Sequence, residues 1–130
     1  MGGNGTFAAG NIVKYRWETV ATIDGVKVLE PMSGGHKLPE EAHSSRMYIL
    51  QHPQNGNFAQ LRIYDKWHRL RFEVGYHREP RLDKSGRPVL HYHVYTYPRG
   101  SSVFERTEAR KATTKMWKKL GKYMKGVVFP

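Results

Sequence analysis

Residues 89–97 read VLHYHVYTY, two histidines one residue apart among residues that favour strands. In a strand, alternate residues share a face, so His91 and His93 would present their imidazoles side by side. Paired imidazoles suit three roles. They can begin a zinc or iron site, with His77, His36 or His43 as third ligand. Yet no Asp or Glu follows at a supporting spacing and no H-E-x-x-H occurs, so neither a metal nor another cofactor is expected. They can move protons. Cleavage of RNA through its own 2′-OH needs a base for that hydroxyl, an acid for the leaving 5′-oxygen and a cation for the phosphorane charge. Histidine suits both proton roles because it titrates near neutrality. The chain has seven histidines in 130 residues, and the catalytic candidates are His91, His93, His77, His43 and His36. Lys37 and Arg46 flank the last two. Finally, a His-Tyr-His strand can be a wet sheet face whose imidazoles bond neighbouring backbone. That reading also fits His52 and His68, which sit at turn signals.

Strands are needed to hold these rings. Residues 12–22 and 26–30 read as strands joined by Asp24-Gly25, a pair that accepts positive φ. A Gly- and Pro-containing loop follows to residue 45. Residues 46–51 and 58–64 read as a hairpin around Asn55-Gly56. Residues 70–77 and 89–97 complete the strands, separated by a polar loop at 78–88. Residues 1–11 read as a flexible, glycine-rich lead-in. Residues 101–125 have helical period, with the Ser102/Glu105 spacing of a capping box. The expectation is one α+β domain over 12–130: an antiparallel sheet of about five or six strands, then a basic amphipathic C-terminal helix.

Alternation sorts the side chains. Ala59, Leu61 and Ile63 form one apolar set, Leu70, Phe72, Val74 and Tyr76 a second, and Leu90, Tyr92 and Val94 a third. If those sets join the core, the opposite face collects Arg62, Tyr64, Arg69, Arg71, His77, His91, His93 and Tyr95. Glu73 and Gly75 alternate onto that same face. Cations with tyrosines suit a phosphate backbone whose bases stack.

The formal net charge is +11, unevenly placed. Residues 1–50 are balanced, whereas 51–100 carry nine Lys/Arg against four Asp/Glu, and 101–130 eight against two. Such a skew points to a polyanionic partner, RNA before DNA, or a host ribonucleoprotein. Arg110, Lys111, Lys115, Lys118, Lys119 and Lys122 are further phosphate contacts on the expected helix. The absence of cysteine excludes disulfides and thiolate metal sites. No apolar run approaches a membrane span, so no membrane partner is expected.

Three stretches, GGHKLPEEAHSSRMYI, LRIYDKWHRLRFEVGYHREP and PVLHYHVYTYP, together resemble small proteins of phages and prophages of Gram-positive bacteria. These also occur as tail domains of head-morphogenesis proteins. The last two stretches are similar to polymorphic-toxin nuclease domains of the barnase–EndoU–colicin–RelE type. The resemblance covers about residues 12–97. It implies a phage-derived protein of the bacterial cytoplasm that binds nucleic acid, with metal-independent ribonuclease activity as the catalytic reading. His77, His91 and His93 fall at the toxin histidine positions, and His36 and His43 in the phage loop motif. The alternative is a non-catalytic binder: an anti-CRISPR-like counter-defence inhibitor or a morphogenesis factor.

Overall fold

A computed structural model describes residues 17–32, 37–43 and 45–129. The glycine-rich lead-in, the start of the 12–22 strand and His36 lie outside the described residues. The elements are β1 (Trp17–Ile23), β2 (Val26–Pro31), β3 (Met47–Gln51), β4 (Phe58–Tyr64), β5 (Leu70–Arg78), β6 (Pro88–Thr96), β7 (Glu105–Arg106), β8 (Arg110–Lys111) and α1 (Thr114–Leu120). The α+β expectation holds at that level, but the strands among the described residues number eight, not five or six. They form one sheet in the order β1 to β7, with β8 also pairing β6. Neighbours are antiparallel except β2 and β3, which run parallel. The turns follow their residues: Asp24 and Gly25 adopt φ of 49° and 82°, and Gly56 adopts 72°.

The expected 101–125 helix shrinks to 114–120, followed by a 3₁₀ turn over Gly121–Tyr123. The open edge of β6 is the reason. It captures the chain first as β7, pairing Tyr95 with Arg106, then as β8, pairing His91 with Lys111. The Ala112 N–H also bonds the Leu90 carbonyl. Only then does Thr113 cap a helix, its hydroxyl accepting from the Met116 N–H at 3.2 Å. Seven residues are too few for a helix to stand alone. Met116, Trp117 and Leu120 hold it by packing on the sheet.

The sheet is covered on both sides. On the helix side, Val28, Ile49, Leu61, Val74 and Leu90 pack against the C-terminal segment through Tyr123 and Met124. On the opposite side, Leu29, Tyr48, Leu50, Tyr64 and Tyr95 pack against Leu38 and Ala42 of the 37–43 loop. Two bulges invert the strand ends. The register shifts between Leu50 and Gln51, and again between Ile63 and Tyr64. Phe58 therefore joins the helix-side core with Leu61, while Ala59 and Leu70 join the other. Between the bulges the alternation runs as expected.

Candidate functional site

Directly opposed residues in an antiparallel pair share a face. Glu73 lies opposite His93, Gly75 opposite His91, and His77 opposite Val89. On the next strand pair, Arg62 lies opposite Glu73 and Gln60 opposite Gly75. This face therefore carries Gln60, Arg62, Glu73, Gly75, His77, His91, His93 and Tyr95, with Lys111 and Arg106 added at its β8 and β7 edge.

His77, His91 and His93 form a row. The His91 ring stands edge-on to both neighbours, at centroid distances of 4.5 Å to His77 and 5.7 Å to His93. Each Nδ1 meets a backbone carbonyl: Arg78 at 2.7 Å, Val89 at 2.8 Å and Thr107 at 2.9 Å for His77, His91 and His93 in turn. A carbonyl can only accept, so every Nδ1 carries its hydrogen. Nε2 is then the basic nitrogen of each neutral ring, and the acidic N–H of each protonated one. The rings differ in access. His77 is exposed, His93 is 8 % exposed and His91 only 1 %.

Gly75 makes room for the His91 ring. A Cβ at position 75 would lie 3.3 Å from His91 Nε2. That nitrogen is thus turned against the sheet, not outward. Burial lowers the His91 pKa, and the adjacent His77 and His93 lower it further, outweighing the Val89 carbonyl. His91 is thereby biased towards its neutral form. Among the described residues, no group of three His, Asp or Glu side chains could hold a metal ion.

Beside the row lies a buried ion pair. Arg62 and Glu73 are 7 % and 6 % exposed, with Arg62 Nε 2.9 Å from Glu73 Oε2. The Gln60 amide donates to the same carboxylate oxygen at 2.7 Å, and the Tyr95 hydroxyl donates to Oε1 at 2.9 Å. Burial alone would raise the Glu73 pKa. The Arg62 charge and the bonds from Arg62 and Tyr95 overcome it, so Glu73 ends below the usual carboxylate range. Burial, then the Glu73 charge, pushes Tyr95 up to about 12. Arg62 also donates to the Leu38 carbonyl at 2.9 Å, and Tyr64 donates to the Pro39 carbonyl at 2.6 Å. The 37–43 loop is thereby clamped over this end of the face.

The single cationic surface expected from the sequence is divided. Arg62, Tyr64 and Tyr95 are buried under the loop and the 101–107 segment, so they support the face and do not meet phosphate. Arg69 and Arg71 gather at the far end around Asp65 and Tyr97. Arg110 and Lys111 line the β6 edge, with Lys111 on the histidine side. Lys115, Lys118 and Lys119 are exposed on α1, on the other side of the sheet, and Lys122 pairs with Asp24. His43 lies at the end of the 37–43 loop, its N–H bonded to the Tyr48 hydroxyl at 3.2 Å. Sequence reasoning set Glu73 on this face but gave it no role. Its signal was available: it is the one carboxylate among the alternating cations and imidazoles of that strand.

No family model, curated protein or solved structure matches the chain. Among the described residues, no helix is long and apolar enough to cross a membrane.

Proposed function

We propose that this protein binds RNA and cleaves it without a metal, through the histidine row. The reading rests on one observation: the Nδ1 atoms of His77 and His93 are each held by a carbonyl, leaving Nε2 as the reacting nitrogen of both rings. One of His77 and His93 takes the proton of the 2′-OH. The 2′-oxygen bonds phosphorus, the bond to the 5′-oxygen breaks, and the other imidazolium protonates that leaving oxygen. Lys111, exposed on the same side at the edge, supplies positive charge for the phosphorane. His91 is a positioning residue, wedged between the two. The resemblance to phage-encoded proteins supports a setting in the cytoplasm of a bacterial host.

The test is incubation with total RNA, with and without EDTA. Cleavage should persist in EDTA and leave 2′,3′-cyclic phosphate ends. His77→Ala or His93→Ala should slow it by about 10²- to 10⁴-fold while RNA affinity stays within a few fold. Cleavage that needs metal, or survives both substitutions, rejects the site. The depth of His91 favours a second reading, a non-catalytic protein that grips RNA or a host ribonucleoprotein. RNA retained without any cleavage would establish that one instead.

A further inference from the structure

The turn between β4 and β5 is organised by one carboxylate. Asp65 accepts from the Trp67 N–H at 2.9 Å, the Arg69 N–H at 3.0 Å and Arg69 Nε at 3.1 Å. His68 closes the turn at φ 70°. The result holds Trp67 outward, 57 % exposed, on a backbone with little freedom to fold it away.

This indole has company. The Arg69 guanidinium lies 5.2 Å from the Trp67 ring and 4.7 Å from the Tyr97 ring, linking the two. Lys66 Nζ lies 4.6 Å from the Trp67 ring, and Arg71 lies 5.9 Å from that of Tyr97. Asp65 pairs with both arginines, so three cations answer to one carboxylate in this turn. Tyr97 is itself anchored, donating to the Leu70 carbonyl at 3.0 Å. It also lines a cleft of about 250 Å³ with Glu40, Glu41, Ser102, Val103 and Phe104. That is under the ~300 Å³ at which whole-ligand pockets begin, so it suits one ring system. Carboxylates at its wall accept from an exocyclic amine, as Glu and Asp do from cytosine N4.

We propose that this platform and cleft seat an unpaired cytosine-bearing stretch of single-stranded nucleic acid. Phosphates meet Lys66 and Arg71, one base stacks on Trp67, and a neighbouring cytosine enters the cleft beside Tyr97. Uracil has a carbonyl where cytosine has its amine, and would face the carboxylates acceptor to acceptor. The proposal takes its class of partner from the reading above, but not its chemistry. Arg71 and His77 are six residues apart on β5, roughly 20 Å along the strand.

The test is fluorescence anisotropy with labelled dC12 and dU12, which lack the 2′-OH and so are inert to the histidine chemistry. Wild-type protein should bind dC12 at least about fivefold more tightly than dU12. Trp67→Ala should weaken dC12 about tenfold. The double variant Glu40→Ala/Glu41→Ala should bring the dC12/dU12 ratio close to one, whatever it does to the absolute affinities. Equal binding of dC12 and dU12 by the wild type overturns the cleft assignment. Undiminished binding by Trp67→Ala, or binding no tighter than that of a poly-glutamate peptide, overturns the platform. RNA cleavage with no binding of dC12 would sink this proposal alone. Binding of dC12 through Trp67 with no RNA cleavage would sink the histidine chemistry alone.

Discussion

Glu73→Gln tests the buried network most directly. The substitution keeps size and shape but leaves Arg62 as a charge 7 % exposed without its carboxylate. Removing one partner of a buried pair costs about 3–5 kcal/mol. Gln can still meet Tyr95 and Gln60, so the lower end, ~3 kcal/mol, is expected. That is a large share of the ~5–15 kcal/mol a whole domain holds. Arg62→Met removes the other partner and should cost a similar amount, since it also strips the Leu38 carbonyl of its donor. The two variants differ in how they respond to pH. Arginine cannot discharge within any useful range, but a carboxyl can protonate. With Arg62 gone, burial is the largest influence left on Glu73, opposed by the Tyr95 bond and then the His93 charge, and its folded pKa should rise above the unfolded value. Stability from such a group is greatest below the unfolded pKa and is lost as pH rises through the folded one. Urea unfolding followed by circular dichroism, from pH 8 to 5, should therefore show Arg62→Met recovering relative to Glu73→Gln as pH falls. The comparison cancels the histidines other than His93, whose charge acts on Glu73. A loss under 1 kcal/mol for Glu73→Gln, or a constant gap between the variants across that range, would refute the reasoning.

Two further outcomes follow from the fold. The folded-state pKa of His91 lies below its unfolded value, so its contribution to stability is present above about pH 6.5 and fades as pH falls from there towards the folded pKa. His91→Gln should flatten the wild-type fall in urea midpoint between pH 7.5 and 5.5, and an unchanged slope would assign that fall to other groups. Thr113→Ala removes the N-cap of α1 and should cost about 1 kcal/mol in the same assay. No loss at all would mean the helix start is held entirely by packing.

Much of the sheet was legible because its turns carry their own chemistry. Asp24-Gly25 and Asn55-Gly56 set two of the hairpins, and alternation placed Arg62, His91, His93 and Tyr95 on one side of it. Three things were not legible, each for a physical reason. The bulges at Ala59 and Arg71 break the period of two, which moved Phe58 and Leu70 across the sheet. The 101–113 stretch has a helical pattern, but the open β6 edge offers it a tertiary alternative that no local window contains. The cationic face looked open because a strand pattern cannot show what packs above it. The 37–43 loop arrives from between two strands and covers Arg62 and Tyr64 with Leu38 and Pro39. The exposed Trp67 and half-buried Tyr97 escaped for the opposite reason. They are far apart in sequence, and only Arg69 between their rings brings them together.

The parallel joint between β2 and β3 bears on the order of assembly. Neighbours from β3 to β6 are linked by turns or short loops, whereas β2 meets β3 only once residues 32–46 have closed a long connection. Closing that loop costs entropy before any pairing repays it. The topology thus favours early formation of the β4–β5 hairpin, which already sets Arg62 against Glu73. On that order the loop with Leu38 and Pro39 would settle over two charges already paired in water. The chain is spared the most expensive intermediate open to it, a lone ion stranded in a half-built core.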